Sequence, residues 1–115
     1  MKSTKHTLLY KSKMAEELAK NELNIYKQIV RQDLEKLFFD IESSYENYLA
    51  SSEAVKSAGI AALFAQKSYE AGKSSIYDVT NSRNNLIAAK SAMLQAKYNW
   101  VFYQKLLEIY SKESK

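Results

Sequence analysis

The chain has 115 residues, 46% hydrophobic and 26% charged, with a formal net charge of +4. That is enough for one folded domain at most, and the mild charge requires only a soluble surface. With no Cys there is neither a disulfide framework nor a thiolate metal site, and with no Pro and only two Gly almost nothing interrupts a helix.

Residues 1–10 read as a basic, frayed lead-in. Leu8-Leu9 is their only apolar pair, too short for a signal-peptide core. No stretch approaches the ~20 apolar residues that a membrane helix needs, so no direct membrane span is predicted in this segment.

A long helix is predicted over 11–70. From Val30, alternating steps of four and three pass through Leu34, Leu37, Ile41, Ser44, Tyr48, Ser51, Val55, Ala58, Ala62, Ala65 and Tyr69. This is a coiled-coil seam sustained over more than five heptads. A tip turn follows at 71–75. Gly72 suits a left-handed cap that ends the first helix. Ser74 or Ser75 can N-cap the next, with Asp78 in its first turn near the positive end of the helix dipole. The return helix is predicted over 76–112, with the seam Val79, Ser82, Leu86, Ala89, Met93, Ala96, Trp100, Tyr103, Leu107 and Tyr110; residues 113–115 form a tail.

So short a break makes the helices antiparallel neighbours. Folding the chain about Gly72 sets the register: Ala62 faces Ser82, Ala58 faces Leu86, and Val55 faces Ala89. Ser51 then faces Met93, Tyr48 faces Ala96, Ser44 faces Trp100, and Ile41 faces Tyr103. Large residues mostly meet small ones, which fills space without voids. The predicted fold is therefore all-α, a long antiparallel coiled-coil hairpin whose first helix is longer than its second. At ~1.5 Å per residue the two would span roughly 90 Å and about 54 Å, leaving some 30 Å of the first without a partner in the chain.

Two helices do not cover all the apolar surface. Ala58 to Ala65 is apolar all round the helix, and a hairpin leaves Ile60, Leu63 and Phe64 wet. Burying each such side chain is worth ~1.5–3 kcal/mol. Ile87, Leu94, Val101 and Ile109 repeat the theme beside the second seam. Both helices are built to touch neighbours on more than one side. Charges also segregate. Arg83, Lys90 and Lys97 recur every seven residues with no acid between Asp78 and Glu108, while Asp40, Glu42, Glu46 and Glu53 lie with no base between Lys36 and Lys56. These are either solvated faces or charge matching between helices, which sets register and partner choice more than stability.

Nothing in the chain points to an enzyme. His6 is the only His and lies in the basic lead-in, so a metal-ligand role is not expected of it; Ser–Lys alternatives lack a distinctive setting, and no glycine-rich phosphate loop is present. No cofactor is expected. The nine Tyr fall mostly on or beside the seams, which favours side-chain contacts over base stacking, so no nucleic-acid partner is expected.

The run Ser68-Tyr69-Glu70-Ala71-Gly72-Lys73-Ser74-Ser75-Ile76-Tyr77-Asp78-Val79 is followed by Ala88-Ala89-Lys90, by Gln95-Ala96-Lys97-Tyr98-Asn99-Trp100 and by Lys105-Leu106-Leu107. This series resembles the TolC-like outer-membrane efflux proteins. In that family a Tyr-x-x-Gly turn precedes an Asp-Val-Leu type helix start, and a return helix with spaced Ala closes on an Ala-x-Tyr-x-Tyr-like end. The likeness runs over roughly Lys11 to Ser111. Each motif is weak alone; their order and spacing make the set specific.

The resemblance implies a homotrimeric duct whose strands close an outer-membrane barrel and whose helices line a periplasmic tunnel. This chain would match the last long helix of the second repeat, its tip and the shorter return helix. The implied function is a passive conduit, part of an efflux or secretion exit channel gated at the hairpin tip. Its implied partners are the remainder of the duct and a periplasmic adaptor. Ala71, Gly72, Lys73, Ser74 and Ser75 would form the adaptor-docking tip. Tyr69 would help latch the entrance, or else be a seam aromatic. Asp78 would line the constriction, where three copies favour cations, or else be a helix-start acid. One family pattern has a second acid a turn later; here that position is Asn81, which weakens the ring. The first repeat, the barrel strands and a signal peptide are not in the sequence, so the expectation is a fragment, split product or excised piece on the periplasmic side of the outer membrane. The rival reading is a free-standing coiled-coil interaction module.

Overall fold

A computed structural model describes residues 2–113. They form two helices, α1 (Lys2–Glu70) and α2 (Ile76–Glu113), and no strand is found among the described residues. The helix therefore includes residues 2–10, which the sequence reading left outside it. The segment has no Pro or Gly, and Thr7 satisfies its hydroxyl by donating to the Ser3 carbonyl one turn back, at 2.7 Å. Glu113 closes α2, while Ser114 and Lys115 of the predicted tail lie outside the described residues.

The chain divides into two compact units, Met1–Lys36 and Leu37–Lys115, with the boundary inside α1. In the first unit Leu8, Leu9, Tyr10, Met14, Leu18, Leu23, Ile25, Tyr26 and Ile29 are all exposed, and Val30 and Leu34 are half-buried. Arg31 and Glu35 form an exposed i,i+4 ion pair at 3.5 Å, worth only tenths of a kcal/mol.

The second unit is the hairpin. Its core is thin, as two helices dictate: among the described residues Leu37, Val79 and Ala96 are the buried apolar ones, and Ser44 is the buried polar one. From Leu37 to Ala65, and from Val79 to Leu107, every predicted seam position is buried or half-buried. The seam's small polar residues satisfy themselves locally. Ser44 Oγ donates to the Ile41 carbonyl, and Ser82 Oγ to the Val79 carbonyl, each at 2.9 Å. Among the described residues no buried side-chain nitrogen or oxygen lacks a partner.

Two contacts check the register. A Cβ placed on Gly59 would lie 4.0 Å from Leu86 Cδ1, next to the predicted Ala58–Leu86 layer. The Trp100 ring stacks on Tyr48 at 5.7 Å and meets Tyr45 at 4.9 Å, which puts it at the predicted level of Ser44. Small Ser44 leaves room for the indole, and the flanking tyrosines supply its faces. Such ring pairs add ~0.5–1.5 kcal/mol each beyond area burial. Among the described residues no helix is long and apolar enough to cross a membrane.

Candidate functional site

The best-defined site is the turn that joins the helices. α1 ends in a Schellman motif: the Lys73 N–H donates to the Ser68 carbonyl at 2.8 Å, and the Gly72 N–H to the Tyr69 carbonyl at 2.9 Å. The motif needs a left-handed residue, and Gly72 supplies it at φ 75°. α2 begins with a capping box. The Asp78 N–H donates to Ser75 Oγ at 3.3 Å, and the Ser75 N–H donates to the Asp78 carboxylate at 3.4 Å. Ser75 is thus the N-cap. Ser74 instead turns back on α1, its Oγ donating to the Ala65 carbonyl at 3.5 Å.

Below the tip a polar chain crosses the hairpin. Arg83 Nη2 donates to Gln66 Oε1 at 2.8 Å, and Gln66 Nε2 donates to Glu70 Oε1 at 3.1 Å. Sequence reading assigned no role to Gln66, although Gln66 and Arg83 each sit next to a seam residue (Ala65 and Ser82). The fold gathers Tyr69, the turn 71–75 and Asp78 at one end of the hairpin. Asn81 is exposed one helical turn beyond Asp78. Tyr69 is 42% exposed, because the seam opens where the helices part into the turn. The geometry gives Asp78 a helix-start role, and its exposed carboxylate still faces solvent.

Charges on the flanks do not match across this hairpin. Among the described residues, the ion pairs in the second unit are Lys56–Glu53 at 3.3 Å, Lys105–Glu108 at 3.2 Å and Lys112–Glu108 at 3.6 Å, each within one helix. Of the two readings of these charges, solvated faces or matching between helices, the hairpin shows no ion pair between its helices among the described residues. The Arg83–Gln66 contact across the flank is charged to neutral. Glu108 titrates below the usual glutamate range, chiefly because Lys105 donates a hydrogen bond to it and adds its positive charge, with Lys112 reinforcing.

The outer faces remain apolar. Ile60, Leu63 and Phe64 are 71%, 58% and 73% exposed, and Ile87, Leu94, Val101, Phe102 and Ile109 line the outside of α2. Scattered exposed apolar residues are ordinary, whereas contiguous apolar patches mark interaction surfaces. Among the described residues no cluster of potential metal ligands occurs.

A long antiparallel hairpin with a tight, doubly capped tip places the chain in the class of long coiled-coil helical hairpins. The outer membrane efflux protein family matches residues 6–108, nearly the whole chain, and the chain belongs to that family. No curated protein and no solved structure matches it.

Proposed function

We propose that this hairpin is a segment of the periplasmic α-helical tunnel of an outer-membrane efflux or secretion duct, a passive conduit rather than an enzyme. The observation that carries the reading is the hairpin itself: a rigid, doubly capped tip joined to helices whose outer faces are apolar. Tunnel helices have neighbours on both sides, which accounts for apolar residues placed away from the seam. Family membership supports the outer-membrane setting and the channel role.

In this reading three copies surround one opening, and Ala71, Gly72, Lys73, Ser74 and Ser75 receive the hairpin of a periplasmic adaptor. The two caps hold the turn in one shape, so the adaptor meets a preformed surface. Tyr69, Asp78 and Asn81 border the entrance, and the exposed Asp78 carboxylates add negative potential there, which favours cations. Opening comes from realignment of whole helices, because the caps resist change within the turn.

The test is site-specific photo-crosslinking in cells that assemble the full duct. A photoreactive side chain at Lys73 is expected to capture the adaptor, and one at the remote, exposed Lys105 is not. Equal capture from both positions, or from neither, refutes the tip as the docking site.

A further inference from the structure

We propose that residues 5–13 of α1 dock on an anionic phospholipid surface, lying along the bilayer rather than crossing it. The placement of charge points there. Lys2, Lys5, Lys11 and Lys13 fall within residues 1–15, and no acid does. Without these four, the 17 bases of the chain fall level with its 13 acids. The whole formal charge of +4 therefore belongs to this one stretch, and the remainder of the chain is balanced.

The lysines surround an exposed apolar pair. Leu8 and Leu9 are 62% and 60% exposed. On a helix the surface neighbours of a residue lie three and four positions away. Lys5 and Lys11 therefore flank Leu8, and Lys5 and Lys13 flank Leu9. All three lysines are exposed. Two open grooves meet at Leu9, one lined by Lys5, Leu8, Leu9 and Ser12, the other by His6, Leu9, Tyr10 and Lys13. Lys5, Lys11 and Lys13 make no ion pair among the described residues, and the first acid along the chain is Glu16.

Leucines bordered by lysines are what a bilayer interface accommodates. The leucines enter the boundary between headgroups and acyl chains, while the lysine stems lie along apolar surface and their ammonium groups reach the phosphates. Each base close to an anionic leaflet raises affinity about fivefold. An acidic protein would need carboxylates fixed opposite every lysine and a cleft for both leucines between them. Headgroups in a fluid leaflet move to each ammonium wherever it lies. The surface ends where the composition changes: Glu16, Glu17 and Glu22 interleave with Lys20 and Lys27, and the attraction for an anionic leaflet is lost. Membership of an outer-membrane family puts a bilayer in the setting of this chain. Lipid docking does not rest on the duct reading, and the vesicle assay and the tip crosslink can fail separately.

Flotation of the 115-residue chain with large unilamellar vesicles tests the proposal. The chain is expected to float with vesicles of phosphatidylethanolamine and phosphatidylglycerol, and about 100-fold more weakly with vesicles of phosphatidylcholine alone. Added salt is expected to weaken the first binding. The Lys5→Gln/Lys11→Gln/Lys13→Gln variant is expected to lose about 100-fold on the anionic vesicles. The Leu8→Ser/Leu9→Ser variant is expected to lose at least about 10-fold there while keeping the salt dependence. Helicity by circular dichroism is checked for each. The Cys-free chain also accepts an environment-sensitive fluorophore at Leu9→Cys or at Ile60→Cys, the second in the exposed apolar stretch of the hairpin. On anionic vesicles the first label is expected to shift to the blue and the second to emit as it does in water.

No flotation, equal flotation with both kinds of vesicle, unchanged flotation of the lysine variant, or an equal blue shift at residue 60 each overturn the proposal. So does binding to polyglutamate without binding to vesicles, which assigns the segment to an acidic protein instead.

Discussion

The two glycines provide a test in which one substitution changes sign with place. At Gly72 the backbone is left-handed, φ 75°, and a Cβ there would meet nothing within 4 Å. Crowding is therefore not at issue in Gly72→Ala; only backbone conformation is. Holding an L-residue in that region costs about 1–2 kcal/mol, and the lowered entropy of the unfolded chain returns only part of it. At Gly59 the backbone is helical and the added Cβ would lie 4.0 Å from Leu86 Cδ1, an ordinary contact. Gly59→Ala gains about 0.8–1 kcal/mol of helix propensity and fills space against the seam. The two variants should thus differ by about 2 kcal/mol in opposite directions from wild type. Thermal unfolding followed by circular dichroism at one fixed concentration reads this as shifts of about 4–8 °C, down for Gly72→Ala and up for Gly59→Ala. Gly72→Asn should fall between wild type and Gly72→Ala, because Asn tolerates the left-handed region. Shifts of the same sign for the two alanine variants, or a neutral Gly72→Ala, would refute the Schellman turn as the cause of the reversal.

The other expectations concern the seam, the cap and one carboxylate. Trp100→Ala removes the ring held against Tyr45 and Tyr48; with the indole half-buried it should cost about 2–3 kcal/mol, less than the fully buried range, measured by urea unfolding. Replacement by Phe should restore a substantial part. Ser75→Ala removes the N-cap of α2 and should cost about 1 kcal/mol, whereas Ser74→Ala should cost less, the bond from its hydroxyl to the Ala65 carbonyl being a long one. Amide exchange at Asp78 should rise in the first variant and stay unchanged in the second. Glu108 should titrate below the usual glutamate value by NMR, and Lys105→Ala should raise it toward that value. Because the folded value is the lower one, its small contribution is present above the unfolded value of about 4.3 and is lost as pH falls through the folded one. Stability near neutral pH should therefore be flat with respect to this group.

Much of the fold is legible in the residues because its causes are local or periodic. The heptad steps fix which face of each helix is covered, and near-absence of Gly and Pro lets helix run until Gly72 stops it. The same periodicity sets the facing layers, since two seams of equal rhythm folded about one turn leave a single level free of offset. Even the exposure of Ile60, Leu63 and Phe64 follows from counting sides: a hairpin covers one, and this stretch is apolar on all. The tip was legible to the level of its residue types, a glycine stop and a serine start.

Tertiary structure decided matters that depend on where particular atoms come to rest. Ser75 rather than Ser74 caps α2, because the path out of the Schellman turn aims Ser74 Oγ at the Ala65 carbonyl. Asp78 bonds back to the Ser75 N–H, a reciprocity that residue type permits and only geometry establishes. Gln66 gained a role once Arg83 was brought beside it from the other helix. The charge pattern shows the division most clearly. Sequence determined that acids collect on α1 between Lys36 and Lys56 and bases on α2 between Asp78 and Glu108, while the fold decided which groups they meet: among the described residues the hairpin's ion pairs stay within single helices, and Arg83 bonds the neutral Gln66 across the hairpin.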